Sequence, residues 1–348
     1  MADKSLKVGV IGAGRMGVTH HCIINSHPDV AVVAIADPSP LVTMMMSKYA
    51  GVRAYKDYRS LLDKEQLDAV LVCTPPAANH DVLSAVADLN IHAFVEKPFT
   101  LSAASGAELA TRFQERGLVN QVGYTSRFND ALHSAKLLLD QGVIGRVIRF
   151  RSETFSSAII RDPGEDGWRS THANGGGATY EMGSHAIDMV NYLVGAPDRV
   201  SGTSLTKVWS RNVEDIASAS FIYDSGLSGS IYVNWSDPTY RKPTTRFEVF
   251  GSKGKLIADY HGIKLYLNEP NEAHGFAAGW NQRYITDLFT PAPFYLRGFE
   301  FTSQMYHFVD HVLKGDLATR CTFADGVATL KVIERMFSDN EADHRVRA

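Results

Sequence analysis

The 348-residue chain predicts an α/β protein of two domains, a doubly wound parallel sheet followed by an α+β domain with a mostly antiparallel sheet. Three observations predict it. At roughly 100–200 residues per domain the length divides into two. Short β-branched runs without polar alternation alternate with helical patterns as far as Gly123, and from Arg146 onward the runs lengthen and alternate between apolar and polar residues.

In the first part the strand candidates are residues 8–11, 30–36, 69–73, 93–95 and 119–123. Their unbroken apolar character suits strands covered on both faces of a parallel sheet. Helical spacing appears at 16–24 and at 81–89, where Val82, Leu83, Val86 and Leu89 recur behind Asn79 as a candidate N-cap. This is a βαβ succession, the pattern of a doubly wound sheet. After Gly145, residues 146–155 put Ile148 and Phe150 on one face and Arg149, Arg151 and Glu153 on the other. Further strands are predicted at 217–223, 227–235, 246–250 and 263–267, with Asp224-Ser225-Gly226 and Gly251-Ser252-Lys253-Gly254 as turn signals. Such alternation implies a sheet with one solvated or partner-covered face. Helices are predicted near 180–194, 303–313 and 324–337, whereas 271–299 has no clear period. These patterns set the domains at 1–124 and 125–348.

Composition narrows the function. Lys plus Arg number 35 against 38 Asp plus Glu, a net charge of −3, which gives no basic field for nucleic acid. Cys22, Cys73 and Cys321 stand apart, so neither a disulfide framework nor a zinc site is expected. No signal-peptide pattern opens the chain, and no apolar run approaches the ~18 residues of a membrane span. A cytoplasmic protein without a membrane or nucleic-acid partner is expected.

Gly12-Ala13-Gly14-Arg15-Met16-Gly17 matches G-x-G-x-x-G, directly after the first strand and at the start of a helical pattern. The glycines permit a tight turn and a close approach of backbone to pyrophosphate, whose charge meets N–H groups at the helix N-terminus. Asp37 ends the second strand 20 residues past Gly17, where an acid hydrogen-bonds ribose hydroxyls. Its charge repels a 2′-phosphate, and Pro38-Ser39-Pro40 supplies no cation, so NAD is favoured over NADP.

Three further motifs follow: Thr74-Pro75-Pro76-Ala77-Ala78-Asn79-His80, Glu96-Lys97-Pro98, and Gly175-Gly176-Gly177 leading into Glu181-Met182-Gly183-Ser184-His185-Ala186-Ile187-Asp188. With the glycine fingerprint, this set resembles the glucose-fructose oxidoreductase, inositol dehydrogenase and rhizopine catabolism (Gfo/Idh/MocA) family over essentially the whole chain. The resemblance implies an N-terminal Rossmann domain, a C-terminal domain whose large open sheet supports homodimers or homotetramers, and an active site between them. It also implies that Thr74, Pro75, Pro76, Asn79 and His80 border the cofactor and that Glu96 and Lys97 lie beside the nicotinamide and its ribose. Tyr124 and Arg127 match the family's linker, and Trp168-Arg169 a segment that closes over the nicotinamide end. These four are counted with the substrate contacts.

The residues themselves agree. Lys97 follows the carboxyl end of a parallel strand, where open α/β sheets place ligands, and its ammonium could donate to a carbinol or carbonyl oxygen; the alternative is a solvated loop lysine. Glu181 and His185 are spaced i, i+4, with Asp188 a turn further on. A histidine there could exchange the hydroxyl proton at neutral pH, the alternative being an ordinary ion pair. The family commonly has Asp at the place of Glu181, so this carboxylate reaches about one methylene further. His20-His21 read as structural. Trp280, Tyr284, Phe294, Tyr295 and Phe299 fit either a sugar pocket or a subunit interface. Arg161, Arg169 and Arg297 could receive an anionic sugar, or pair with Glu165, Asp166 and Glu300.

The expected activity is hydride transfer between NAD(H) and a secondary alcohol or ketone of a sugar, sugar derivative or cyclic polyol, with Lys97, His185 and Glu181 catalytic and no metal. Alternatives are a redox-assisted glycoside hydrolase of the same family and a non-catalytic dinucleotide-binding regulator.

Overall fold

The computed structural model describes residues 6–157, 170–288 and 290–347, the side chains of 343–347 excepted. The described chain forms two compact units, Met1–Thr125 with Ala292–Val327, and Ser126–Pro291 with Ala328–Ala348.

In the first unit, β1 (Leu6–Ile11), β2 (Val30–Ala36), β3 (Arg53–Tyr55), β4 (Ala69–Val72), β5 (His92–Val95) and β6 (Asn120–Val122) form a sheet in the order β3-β2-β1-β4-β5-β6. All pairings are parallel. Every residue of β4 is buried, as the unbroken apolar runs require. The connecting helices are α1 (Arg15–Ile24), α2 (Pro40–Met45, continued by a π turn at Met46–Ala50), α3 (Tyr58–Lys64), α4 (Pro76–Asp88) and α5 (Ala103–Glu115). Side-chain oxygens start three of them: Ser39 accepts from Val42 N, Asp57 from Ser60 N and Ser102 from Ser105 N. α4 begins five residues before the predicted 81, at a proline suited to a first turn. Asn79 therefore lies inside the helix, and Pro75 takes the N-cap position.

A single boundary at 124 is corrected by the return of 292–327 to this unit. The helix Phe299–Lys314 explains it, for Met305, Phe308, Val309 and Val312 join one buried cluster with Ile23, Ile24, Phe94 and Val119. Each such side chain contributes about 1.5–3 kcal/mol on burial. Residues 319–323 then occupy the free edge of β6, with Val122 N donating to Cys321 O at 2.8 Å, Thr319 Oγ1 to Asn120 O at 2.7 Å and Phe323 N to Asn120 Oδ1 at 2.7 Å.

The second unit holds β7 (Val147–Phe155), β8 (Arg199–Thr206), β9 (Ile216–Ile222), β10 (Ser228–Asn234), β11 (Thr244–Gly251), β12 (Gly254–Asp259), β13 (Gly262–Leu267) and β14 (Gly279–Tyr284). Their order is β14-β13-β12-β11-β7-β10-β9-β8, with only β7 and β10 parallel. Two helices of this unit are α6 (Asp130–Asp140), capped by Asn129, and α7 (Ser184–Val194). Phe150, Phe221, Phe247 and Trp235 are buried, while Arg149, Arg151 and Arg246 are exposed, so the predicted two-faced character holds. The stretch 271–299 contains β14 and divides at 291, so Trp280 and Tyr284 belong to the second unit and Phe294, Tyr295 and Phe299 to the first.

Asp215, just before β9, is fully buried and accepts from the N–H groups of Val208, Trp209 and Ser210, from Ser210 Oγ and from Trp235 Nε1, all within 2.9 Å. Burial acts to raise its pKa, but the hydrogen bonds from Ser210, Trp235 and Val208 outweigh it and hold the carboxyl below its usual value. A depressed folded-state pKa means that this stabilisation is complete above the unfolded pKa of about 3.9 and is lost as pH falls through the folded value. Asp215→Asn should therefore cost about 1–3 kcal/mol at pH 7, and its penalty should shrink as the medium is acidified below about pH 4. Denaturant melts of both proteins across pH 3–7 check this, and a penalty independent of pH would contradict it.

Candidate active site

At two positions of the turn after β1 only glycine fits. Gly12 has φ +88°, and a Cβ there would lie 2.7 Å from Cys73 O. A Cβ on Gly17 would lie 1.9 Å from Gly12 O. Gly14 meets nothing within 4 Å, so open space stands before the first turn of α1. That turn has no acidic residue, and no side chain caps it. Its N–H groups and the adjoining space suit a phosphate. At the end of β2, Asp37 Oδ2 accepts from Ala13 N at 2.8 Å and Oδ1 from Ser39 N at 2.9 Å. Each oxygen keeps capacity for a ribose hydroxyl while tying the glycine turn to β2. These residues fit a dinucleotide.

Residues from the ends of β4 and β5 lie in the same unit. Thr74 Oγ1 donates to Asn79 Oδ1 at 2.6 Å, and Asn79 Nδ2 reaches Pro98 O at 3.5 Å, so Asn79 joins the two loops from a buried position. Pro75 is exposed and Pro76 buried. His80 lies 3.4 Å from Glu108 and 3.6 Å from Asp81, both exposed carboxylates, which gives it surface ion-pair contacts. Glu96 Oε1 lies 2.6 Å from His20 Nε2, and Glu96 Oε2 accepts from Lys97 N at 3.2 Å. His20 is fully buried with its ring edge-on to Phe94, so the residue read as structural is the support of Glu96. Burial, followed by the charge of Glu96, pushes the Cys73 thiol well above its usual pKa. Lys97 is half-buried, and its peptide bond to Pro98 is cis.

In the second unit, Glu181 and His185 flank a change of helix type, a π turn at Thr179–Gly183 passing into α7. Single π turns inside helices recur at functional sites. Both residues are half-buried, while Asp188 is fully buried. Asp188 Oδ2 accepts from Arg127 Nε at 3.0 Å and Oδ1 from an Arg127 terminal nitrogen at 2.7 Å. The guanidinium also lies over Tyr192 at 4.9 Å. Arg127 is thereby paired with α7, and Tyr124 is buried. Trp168 and Arg169 lie outside the described residues, as do Arg161, Glu165 and Asp166.

Glu214, which the sequence did not single out, starts the histidine helix. Its Oε1 accepts from Thr179 N at 2.8 Å, its backbone O accepts from Ala178 N at 2.9 Å, and its Oε2 lies 3.0 Å from His172 Nε2. A buried carboxylate at a helix N-terminus is favourably placed. Gly177, at φ +99°, leaves room for it, since a Cβ there would stand 2.6 Å from Glu214 Oε1. The signal was the acidic pair Glu214-Asp215 opening an apolar strand, but its partners lie over 30 residues away.

Residues 6–124 match the model of an oxidoreductase family with an NAD-binding Rossmann fold, and residues 132–257 that of the GFO/IDH/MocA C-terminal domain. The chain is 28% identical to scyllo-inositol 2-dehydrogenase (NAD(+)) of Bacillus subtilis over 262 residues, 73% of this chain and 74% of that protein. It is 29% identical to myo-inositol 2-dehydrogenase of Thermotoga maritima over 262 residues, 73% and 75% of the two. Its fold is similar to that of levoglucosan dehydrogenase in complex with NADH and levoglucosan, with a TM-score of 0.86 at 20% identity over 97% of this chain and 98% of that one. With both family models together spanning most of its length and each falling on the unit built for it, the chain belongs to the Gfo/Idh/MocA family of oxidoreductases.

Proposed function

We propose that the protein transfers hydride between NAD(H) and a secondary alcohol or ketone carbon of a sugar, sugar derivative or cyclic polyol. The observation that carries this is the joining of Gly12–Gly17, Asp37, Glu96 and Lys97 in one parallel-sheet unit, all at carboxyl ends of strands. The relatives named for inositol and the NADH complex of levoglucosan dehydrogenase support the substrate class. The nicotinamide, when bound, accepts or returns the hydride.

The protein positions the partners and moves one proton. In oxidation the carbinol carbon loses hydride while its hydroxyl loses H⁺. The Lys97 ammonium donates a hydrogen bond to the reacting oxygen and stabilises the charge that grows there. His185 accepts the proton, and Glu181 holds a neighbouring hydroxyl or orients His185. Glu214 and Asp188 act one step back, fixing where the helix starts and how it is rotated.

A homo-oligomer is proposed as well, supported by the outer face of the eight-stranded sheet, where Phe250, Tyr266, Trp280 and Tyr284 are exposed together with Arg149 and Arg151. For Trp280 and Tyr284 this favours the interface over the sugar pocket, and a second copy of the chain is the proposed cover. Light scattering should show a dimer or tetramer, reduced in mass by Trp280→Glu with Tyr284→Glu; a monomeric wild type would refute it.

Lys97→Ala and His185→Ala should each lower kcat by about 10²–10⁴-fold while the Kd of NADH changes far less. The substrate is first found by screening sugars and polyols with NAD and NADP at the absorbance of reduced nicotinamide. Net reduction of added NAD separates a dehydrogenase from a hydrolase that recycles its cofactor. Near wild-type turnover in both variants would remove the assignment. NAD should bind at least about tenfold more tightly than NADP, because Asp37 faces a 2′-phosphate without a cation in the turn that follows. Calorimetric titration measures both constants, and Asp37→Ser should narrow the ratio.

A further inference from the structure

Arg297 stands where the chain re-enters the nucleotide-binding unit, at φ +68°. Only Asn90 shares a positive φ among the described residues other than glycine, and Asn tolerates that conformation where Arg rarely adopts it. Backbone so held persists where its surroundings enforce it, and such positions cluster at ligand clamps. Here a bridge between Leu296 and Gly298 closes the turn around Arg297.

The turn directs the side chain in a definite way. The guanidinium lies 5.2 Å from the centre of the Phe301 ring, that ring lies 6.4 Å from the His20 ring, and His20 Nε2 is 2.6 Å from Glu96. Phe301 and His20 thus link Arg297 to α1 and to Glu96 after β5, within one unit. Arg297 is exposed, yet partial desolvation lowers its pKa, the nearby charge of Arg15 lowers it further, and Glu96 opposes both. Arg15 is the first residue of α1 and is exposed. Among the described residues neither guanidinium is in a salt bridge. Two like charges are therefore gathered at a glycine turn whose N–H groups already suit an anion.

We propose that Arg297 is a cofactor-binding residue, closing with Arg15 over the pyrophosphate that the Gly12–Gly17 turn receives. This deepens the NAD reading above and rests on it. It also moves Arg297 from the anionic-substrate role considered from the sequence to the cofactor's own anion. A guanidinium fork suits two phosphate oxygens, and its stacking on Phe301 fixes the plane of that fork. Because the pyrophosphate is common to NAD and NADP, Arg297 strengthens both equally and leaves the choice between them to Asp37.

The test measures Kd for NADH, ADP-ribose and adenosine with wild type, Arg297→Gly and Arg297→Gln. Both variants should weaken NADH and ADP-ribose by about 10–50-fold and leave adenosine within about twofold, since adenosine lacks the pyrophosphate. The nucleotide-free melting temperature of Arg297→Gly should equal or exceed that of wild type, because glycine adopts this φ freely. Arg297→Gln keeps part of the stem and loses only the charge, so it must show the same loss of affinity. Unchanged NADH and ADP-ribose affinity in both variants would overturn the proposal, and so would an equal loss for adenosine. A wild type that binds neither NADH nor ADP-ribose would instead refute the dinucleotide reading itself.

Discussion

A parallel strand covered on both faces can carry polar chemistry only at its ends. In the six-stranded sheet that constraint is nearly absolute, because the interiors of β1 and β4 are closed to solvent. Gly12, Asp37, Thr74 and Glu96 accordingly follow four neighbouring strands at their carboxyl ends. The residues are then tied across strands: Asp37 to Ala13, Asn79 to Thr74 and Pro98, and Glu96 to His20. A histidine–carboxylate contact with a fully buried ring is costly to set up and costly to break, which makes it a poor source of stability and a good source of position.

The second unit reaches the same end by different means. An antiparallel sheet leaves one face for helices, so the side chains proposed to act there, Glu181 and His185, come from a helix and not from strand ends. A helix must be fixed in translation and in rotation. Glu214 fixes the first by satisfying the N–H of Thr179, and the Arg127–Asp188 pair fixes the second by a two-bond grip that tolerates little rotation. Asp215, one residue from Glu214, draws five donors around one carboxylate and holds the chain where Glu214 must emerge. Two adjacent acids thus serve opposite directions, one toward a loop and the other toward a helix.

Both sheets and the glycine turn were legible because they depend on local pattern. β1, β2, β4 and β5 are short apolar runs, and Gly12, Gly14 and Gly17 stand at a fixed spacing directly after the first of them. What was missed depends on partners distant in sequence. β3 is three residues long, and β8 is a polar strand at the sheet edge, so neither has a hydrophobic period to detect. β14 alternates, but with exposed aromatics whose burial pattern is the reverse of a core strand. Asn79 looked like a cap because asparagine prefers that position, yet Pro76 had already started the helix. The support roles of His20 and Glu214 could not be seen, because nothing within ten residues of either reveals the carboxylate or amide it meets.

The return of 292–327 bears on how the protein is made. Until residues near 323 have left the ribosome, the apolar side of α1 and the outer edge of β6 lack their cover. At about 5–20 residues per second, the roughly 200 residues after 125 take about 10–40 s to synthesise. During that interval Ile23, Ile24 and Phe94 wait beside an incomplete surface while the whole antiparallel sheet is translated. The nucleotide-binding half, first in the gene, closes only after the whole antiparallel sheet has been made. Fragments ending near 125 are nascent chains in this sense, short of the helix that completes their core.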